Sequence, residues 1–402
     1  MLPRFLVPYY LEDNPMPNLS NTENSIGPSG SIGYEYLNRR TYTYGPYDTE
    51  QTDCGLNNQL YQHVQQRNPS TVLDFAIEHI VSNKPYDSLY SDPSLEHPSG
   101  ITVVGDTVWV ANTASGLVTS YSLLGEPLNT IINVFEKHGI IGQPTDISYN
   151  ISPNSFIITN GPLMESSALL VSTRNGCIHG ININVDQDNS IELVDNSDHK
   201  SVYTSIQVVN NRNASFVYVT DFYNAEIHVY DSNMIRQTDF SFIDEDNSDP
   251  IPETFAPYSI TDINNQLYVS YAKQRACDNQ YPEFGQGYGY VSIFTYEGEF
   301  VKRFCSKSVL DTPWSIIPVP KAFGWEPGSI AIGNEGNGII NIFTKNGEYL
   351  DSIRDNSFNT IYTGRLKGMT IDHMYQDIIY FTSTENNMRE SFVNSLISRR
   401  IF

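Results

Sequence analysis

The sequence predicts an all-β protein, a six-bladed β-propeller with an extended N-terminal arm. Two observations carry this prediction. From residue 71 to residue 402, short β-branched and aromatic runs alternate with Gly, Asn and Asp turns, which is typical of many antiparallel strands. These runs also repeat, and each repeat has room for four strands. Residues 1–70 are rich in Tyr, Pro and Asn and show no sustained apolar periodicity, so we assign them to the arm.

The repeat has one recurring form. Each unit opens with an apolar pair, usually after Pro, runs as a strand that ends in a small polar residue, turns through Gly or Asn, and resumes as a second strand. The six units open at HPSGI, QPTDI, VYTSI, APYSI, TPWSI and RLKGM. The sixth unit lacks an outer strand, whereas FAIEHIVSNK, ahead of the first unit, is a spare one. We therefore expect the N-terminal strand to close the ring and remove an open sheet edge.

Charge and hydropathy narrow the function classes. The chain has 23 Lys and Arg against 46 Asp and Glu, a net charge of -23. This balance repels phosphate backbones, so we expect no nucleic-acid partner. No run of apolar residues is long enough for a membrane span, and prolines in MLPRFLVPYYLEDNP interrupt the apolar core that a signal peptide needs. The four cysteines are too far apart for a CxxC motif.

Tyrosines mark two candidate interaction surfaces, because tyrosine offers a large amphipathic contact area. One surface is the arm and the other is an insertion in the fourth unit. The candidate residues are Tyr34, Tyr36, Tyr42, Tyr44 and Tyr47 in the arm, and Tyr281, Tyr288 and Tyr290 in the insertion.

The segment VYVTDFYNAEIHVYD resembles the NHL repeat, with a strand, an Asp, a turn Asn and a second strand. Further stretches, among them FAPYSI, GQGYGYVSIF, TPWSIIPVPKAFG and IAIGNEGNGIINIF, are similar to a family of uncharacterised, mostly exported bacterial propeller proteins. The resemblance covers roughly residues 80–402 and implies a six-bladed propeller. That family has no established activity. This sequence departs from the family pattern in two ways: it has a tyrosine-rich arm, and we recognise no export signal of the kind usual in the family.

Polar residues recur where the second strand of each unit ends: Asn112, Thr173, Asp221, Tyr271, Asn334 and Ser383. Propeller hydrolases place a metal ion in the central channel with such side chains, so Asn112, Asp221, Tyr271 and Asn334 are our candidate ligand-binding residues. The alternative is that Asn and Asp at these positions bind the backbone of their own turns. Ca²⁺ prefers several oxygen ligands that include carboxylates, and this set contains one carboxylate. We therefore predict no metal site and keep Ca²⁺ as an open alternative.

Other motifs favour no chemistry. The acidic loops at residues 186–189 and 244–249 lack the Gly and the closing Glu of a Ca²⁺-binding EF-hand loop, which favours solvated connections. The sequence has no HExxH and no GxSxG motif, and we predict no catalytic residue. His179 and His228 lie inside predicted strands, and we interpret them as packing or surface positions.

These observations favour a non-enzymatic structural or interaction protein, in which the arm ties the propeller into a homo-oligomer or a larger assembly. The absence of a recognisable signal peptide and the Asn- and Ile-rich composition suggest a virion surface or fibre component of a large DNA virus, or another extracellular surface protein. Two alternatives stay open. One is a metal-dependent propeller hydrolase of the lactonase type, with Ca²⁺ near Asp221 and Asn334. The other is a carbohydrate-binding propeller that binds a glycan at the Tyr281–Tyr290 insertion.

Overall fold

The computed structural model describes residues 73–85, 87–211, 214–372, 377–385 and 389–400. Within these ranges, six sheets are arranged around a central channel, and the predicted six-bladed β-propeller is confirmed. We number the blades 1 to 6 in the order of their innermost strands. No helix among the described residues is long and apolar enough to cross a membrane.

The first three blades each contain four antiparallel strands, which follow one another from the channel outward. Blade 1 contains Pro98–Val104, Thr107–Asn112, Leu117–Ser122 and Pro127–Asn133. Blade 2 contains Pro144–Tyr149, Leu169–Thr173, Cys177–Ile181 and Ile191–Asp195. Blade 3 contains Tyr203–Asn210, Ser215–Asp221, Glu226–Asp231 and Arg236–Gln237.

Blades 4 to 6 follow the same order. Blade 4 contains Phe255–Ile263, Gln266–Arg275, Tyr290–Phe294 and Phe300–Ser306, with Asp278–Pro282 paired to its second strand. Blade 5 contains Pro313–Pro318, Ile330–Asn334, Ile340–Phe343 and Tyr349–Ser352. Blade 6 contains Arg365–Ile371, Ile378–Glu385, Glu390–Arg400 and, outside them, Leu73–Ser82, which carries the short parallel strand Tyr90–Ser91.

The first strand of the described chain completes the last blade. Leu73–Ser82 pairs antiparallel with Glu390–Arg400, with Ile77 opposite Leu396. This pairing joins the two ends of the described chain within one sheet and covers the edge of Glu390–Arg400.

Smaller elements connect the blades. The hairpin of Phe135–Glu136 and Ile140–Ile141, with a short 3-10 turn at Lys137–Gly139, precedes blade 2. A second hairpin pairs Ile157–Asn160 with Leu163–Ser166 inside blade 2. Two further 3-10 turns lie at Ser197–His199 and Lys321–Phe323.

The core lies between neighbouring blades. A buried aliphatic residue occupies the same position of every innermost strand: Ile101, Ile147, Ile206, Ile260, Ile316 and Met369. Between blades 2 and 3, for example, Leu170 and Ile178 pack against Ile206 and Val217. Each such side chain contributes about 1.5 to 3 kcal/mol on burial, so the ring is stabilised by many equivalent contacts. This repetition holds the channel-lining residues of six blades in fixed register.

Candidate functional site

The central channel has two chemically different ends. The innermost strands all begin at one end, which we call the cationic end, and finish at the other, which we call the cavity end. At the cavity end, a cavity of about 340 Å³ is lined mainly by hydroxyl and aliphatic side chains from all six blades. At the cationic end, charged side chains from blades 2, 5 and 6 meet beneath the blade 4 insertion.

A belt of polar residues lies at the base of the cavity, one position before the buried aliphatic ring. Its side chains join neighbouring blades. Asp146 Oδ2 accepts hydrogen bonds from Ser205 Oγ at 2.7 Å and from the Ile206 backbone N–H at 3.1 Å. Ser315 Oγ likewise accepts the backbone N–H of Met369 at 2.8 Å. These side chains therefore use their hydrogen bonds to hold neighbouring blades together.

Asp146 is the acidic member of this belt. Burial raises the pKa of its carboxyl group to about 6, although hydrogen bonds from Ser205 and Ile206 favour the ionised form. The neighbouring blade provides the room, because a Cβ at Gly100 would lie 2.4 Å from the Asp146 Cα. Asp146 is therefore an inter-blade acceptor at the position that Ser205 and Ser315 occupy in blades 3 and 5.

A buried acid and a half-buried amine form the centre of the cationic end. Lys367 Nζ lies 3.9 Å from Glu335 Oε1 and 3.1 Å from Ser99 Oγ. The Tyr258 hydroxyl donates a 2.6 Å hydrogen bond to the other Glu335 oxygen. The Glu335 side chain is 5 % exposed and that of Lys367 is 21 % exposed. The amine is therefore held by a weak ion pair and one hydroxyl, and part of it faces solvent.

The Lys367 amine lies among charges of both signs. Burial lowers the pKa of the Lys367 amine; Glu335 opposes this effect, and Arg174 and Arg365 add to it. Burial, with Glu335 in addition, raises the pKa of the Tyr258 hydroxyl. A negatively charged ligand beside Lys367 would offset the repulsion among the three cations. The arrangement is thus suited to anion binding.

The blade 4 insertion, residues 276–289, covers the cationic end. Its contacts reach blades on both sides of blade 4. Arg174 of blade 2 donates a 2.5 Å hydrogen bond to the Gln280 carbonyl and lies 4.0 Å from the centre of the Tyr281 ring. Arg365 of blade 6 lies 4.6 Å from the centre of the Phe284 ring. Each of these cation–π contacts contributes about 0.5 to 1 kcal/mol.

The four candidate ligand residues lie at equivalent positions but are not brought together. Asn112, Asp221 and Asn334 pair with the first residues of their innermost strands, whereas Tyr271 pairs with Pro257, the third residue of its strand. All four are buried. Asn112 Nδ2 donates to Thr119 Oγ1 at 2.9 Å, and Asn334 Nδ2 donates to the Val309 carbonyl at 2.8 Å.

Asp221 and Tyr271 are likewise engaged near their own strands. Asp221 accepts the backbone N–H of Val202 at 3.0 Å and the Asn224 amide at 2.8 Å. Tyr271 packs in the hydrophobic core with Tyr290, and its burial raises the pKa of its hydroxyl. Asp221 also accepts the Asn224 backbone N–H at 3.3 Å, as the turn-chemistry alternative describes, whereas Asn334 binds the distant Val309 carbonyl and Tyr271 packs in the core.

The predicted interaction residues fall into two groups. Tyr34, Tyr36, Tyr42, Tyr44 and Tyr47 lie outside the described residues. In the insertion, Tyr281 is 42 % exposed and Tyr288 is half-buried. Lys273 Nζ lies 4.2 Å from the centre of the Tyr288 ring. Tyr290 does not lie on the insertion surface, because it begins the strand Tyr290–Phe294, is 1 % exposed and packs against Phe255.

The acidic segment 244–249 pairs with protein cations. Arg303 Nη2 lies 2.7 Å from Asp244 Oδ1, and Lys307 Nζ lies 2.6 Å from Asp249 Oδ1. The two basic side chains thus supply the positive charge that a bound Ca²⁺ would provide.

Sequence reasoning missed the residues of the cationic end by one position. Arg174 directly follows Thr173, and Glu335 directly follows Asn334, both in the recurring polar set. Arg174 and Glu335 both act on the Lys367 amine, whereas the strand-end residues Thr173 and Asn334 donate hydrogen bonds to Glu136 and to the Val309 carbonyl. A search for charged residues just after the repeat position would have found Arg174 and Glu335. The third member, Lys367, is the third residue of its innermost strand, Arg365–Ile371.

Comparison with known proteins shows the fold and the family. No protein-family model matches the chain. Among solved structures, it is similar to a Bacteroides thetaiotaomicron structural genomics protein of unknown function, with a TM-score of 0.52, 9 % identity and coverage of 82 % of this chain and 77 % of that one. An auxiliary nutrient binding protein from the same organism also gives 0.52 and 9 %, covering 81 % and 77 %. At this identity the likeness shows the fold alone.

Three uncharacterised proteins of Acanthamoeba polyphaga mimivirus are similar in sequence. R640 is 34 % identical over 82 % of this chain, which spans only 62 % of the length of R640. L690 is 30 % identical, over 82 % of this chain and 87 % of its own length. R648 is 31 % identical over 98 % of this chain and 97 % of its own length. The chain therefore belongs to the family of uncharacterised mimivirus propeller proteins that includes R648.

Proposed function

We propose that this protein is a non-enzymatic binding propeller that recognises an acidic saccharide at the cationic end of its channel. One observation carries the proposal. Lys367, Arg174 and Arg365 converge there beneath an insertion that carries Tyr281 and Phe284, in a chain whose net charge is -23. Guanidinium and ammonium groups bind carboxylates, and aromatic rings provide apolar faces against which sugar rings can lie.

The local charge balance supports an anionic ligand. Glu335, Asp311 and Glu283 are acids of this end; Glu283 pairs with Lys273, and burial, with Glu335 in addition, raises the pKa of Asp311. Asp311 accepts the backbone N–H of Gly285 at 2.8 Å, so it holds the insertion at its base. A ligand carboxylate beside Lys367 and Arg174 would add negative charge where the three cations repel one another.

The experiment is a calorimetric titration of the full chain with trigalacturonate and with its neutral methyl ester. The ester removes the negative charge of each carboxyl group, adds one methyl group there and leaves the sugar rings unchanged. We expect binding of the acid and at least tenfold weaker binding of the ester. Equal affinities, or no binding of either ligand, would contradict the proposal.

The NHL-like classification and the assembly role are also parts of this proposal. The repeated strand, Asp or Asn, turn and strand pattern supports an NHL-like ring. The arm of residues 1–70 lies outside the described residues, and we propose, from its tyrosines alone, that it ties the propeller into an oligomer. The native mass of the full chain, compared with a chain starting at Ser70, tests this role. If the native masses show that both chains are monomers, the proposed role of the arm is refuted.

The viral relatives support a proposed place in the virus particle. Its test is mass spectrometry of purified particles, in which the chain should be present at an abundance comparable to known particle proteins. Its absence from the particles would refute this placement without affecting the binding proposal.

A further inference from the structure

A second cluster of chemically reactive side chains lies away from the channel, on the outer part of blade 2. There the hairpin of Phe135–Glu136 and Ile140–Ile141 lies beside the outer strand Ile191–Asp195. The Glu136 carboxylate, the Cys177 sulfur and a His179 ring nitrogen lie within 4.8 Å of one another. Cys177 and His179 are 1 % and 0 % exposed. Because they are two residues apart on one strand, their side chains share a face.

One of the two ring nitrogens of His179 has no hydrogen-bond partner. Its Nδ1 lies 3.1 Å from Ser190 Oγ, whose own proton is donated to the Asn133 carbonyl. Ser190 Oγ therefore accepts a hydrogen bond from the Nδ1–H group of His179, and the other ring nitrogen, Nε2, carries the lone pair. Nε2 is buried and has no hydrogen-bond partner. A buried imidazole acceptor without a donor costs about 1 to 3 kcal/mol unless a ligand completes it.

The acidic groups of the cluster are oriented in advance. Thr173 Oγ1 donates to Glu136 Oε1 at 2.9 Å, and Asn175 Nδ2 donates to Glu136 Oε2 at 2.7 Å. Such second hydrogen bonds are typical of carboxylates that bind metal ions. Glu192 lies opposite His179 in the strand pairing, and its buried Oε2 has no hydrogen-bond partner either.

The cluster combines several acids with one cation. Glu136, Asp195 and Glu192 lie near the Cys177 thiol, which donates to Asp195 Oδ1 at 3.7 Å, and Lys137 pairs with the other Asp195 oxygen. Several carboxylates around a buried thiol repel one another and the thiolate. A divalent cation would reverse that repulsion and satisfy the His179 nitrogen at the same time.

We propose that Glu136, Cys177 and His179 bind a zinc ion, with the Glu192 carboxylate available for the fourth position. A thiolate, an imidazole and carboxylates in a buried setting match the ligand preferences of Zn²⁺. Zinc bonds of about 2.0 to 2.3 Å require these ligand atoms to draw together by roughly 1 Å, which side-chain rotation provides. Binding displaces the Cys177 proton to solvent. The ion fixes the hairpin to blade 2, independently of the channel and of the proposed saccharide site.

Blade 3 provides an internal contrast. His228 occupies the position equivalent to His179, since each pairs with the strand residue opposite the buried aliphatic ring. Both nitrogens of His228 have protein partners: Nδ1 lies 2.9 Å from the Tyr203 hydroxyl and Nε2 lies 3.2 Å from Glu226. The unpartnered nitrogen is therefore a property of His179 and not of the strand position.

The test is a cobalt titration of the chelator-treated full chain, because Co²⁺ reports thiolate coordination through a charge-transfer band in the near ultraviolet. We expect one Co²⁺ per chain, displacement by Zn²⁺, and a rise of a few degrees in melting temperature with zinc. Cys177→Ser should remove the band, and His179→Gln should weaken binding at least tenfold. Cys277→Ser, which changes an exposed thiol of the insertion, should retain the band.

Folding defects do not leave the inference untested. The wild-type chain alone decides it, because the absence of a charge-transfer band would overturn the site. Glu136→Gln changes a hairpin side chain and should weaken cobalt binding at least tenfold while leaving the circular dichroism spectrum unchanged. Unaltered cobalt binding by the Cys177→Ser chain would also overturn the site.

Discussion

The two ends of the channel use polar residues for different purposes. At the cavity end, Asp146, Ser205 and Ser315 direct their hydrogen bonds to the backbone or side chain of the next blade. At the cationic end, Lys367 and Arg174 contact side chains and the insertion, and their charges are only partly balanced. The cavity end is thus the more structural of the two ends. Cavity volume alone is therefore a poor guide to the binding site in this ring.

The largest expected effect comes from disturbing the close contact between Gly100 of blade 1 and Asp146 of the polar belt. Gly100→Ala would place a Cβ 2.4 Å from the Asp146 Cα and 2.8 Å from the Ile147 nitrogen, both backbone atoms that cannot easily move. We expect a loss of about 3 kcal/mol in the free energy of unfolding, measured by urea denaturation. Gly105→Ala is the control: its Cβ meets no atom within 4 Å, but its φ of +59° costs about 1 kcal/mol. Equal losses in the two variants would contradict the close inter-blade contact.

The second effect is a pH dependence of stability carried by Asp146. Burial raises the pKa of its carboxyl group from 3.8 to about 6. Between these values the folded chain holds a proton that the unfolded chain has released, so the free energy of unfolding falls as pH rises. The expected fall is about 2 to 3 kcal/mol. The free energy of unfolding of the Asp146→Asn chain should lack this fall between about pH 4 and pH 6. If the free energies of the two chains change in parallel with pH, the assignment to Asp146 is refuted.

The third effect separates binding from stability at the cationic end. Lys367→Met keeps an unbranched side chain and removes the charge, while Glu335 retains the Tyr258 hydroxyl. We expect at least tenfold weaker trigalacturonate binding, about 1.4 kcal/mol, by a chain whose circular dichroism spectrum shows that it is still folded. Gln207→Ala, at the cavity end, is the control and should leave affinity unchanged. A similar loss of affinity in both variants would remove the distinction between the two ends.

The smallest effect concerns the insertion. Arg174→Gln removes the contact with the Tyr281 ring and the hydrogen bond to the Gln280 carbonyl. The lost contacts are worth about 1 kcal/mol together, so amide exchange in residues 278–282 should quicken about fivefold. Exchange in the blade 4 strand Tyr290–Phe294 should stay unchanged. Unaltered exchange in the insertion would mean that Arg174 does not hold it.

The ring could be predicted from the sequence because its signal is repeated. The aliphatic position occupied by Ile147, Ile206 and Ile260 recurs in each unit, and so does the polar strand end. The proposed binding site carries no such repetition. Arg174, Glu335 and Lys367 come from three blades and differ in type, and their proximity depends on how the ring closes.

The blade 2 cluster was hidden for a related reason. Cys177 and His179 have the two-residue spacing of one strand face, whereas Glu136 comes from a hairpin well before them in the chain. Searches for metal motifs on helices or in CxxC pairs do not test this arrangement. Likewise, Tyr290 could not be separated from Tyr281 by sequence, because the strand begins between them within a run of glycines and aromatic residues.

A crystal structure of the full chain soaked with trigalacturonate tests the central claim most directly. We predict a ligand carboxylate within hydrogen-bonding distance of Lys367 Nζ, and the sugar beneath the insertion beside Tyr281. Ligand density in the cavity lined by Ile317 and Thr370, with none beside Lys367, would contradict the assignment of binding to the cationic end.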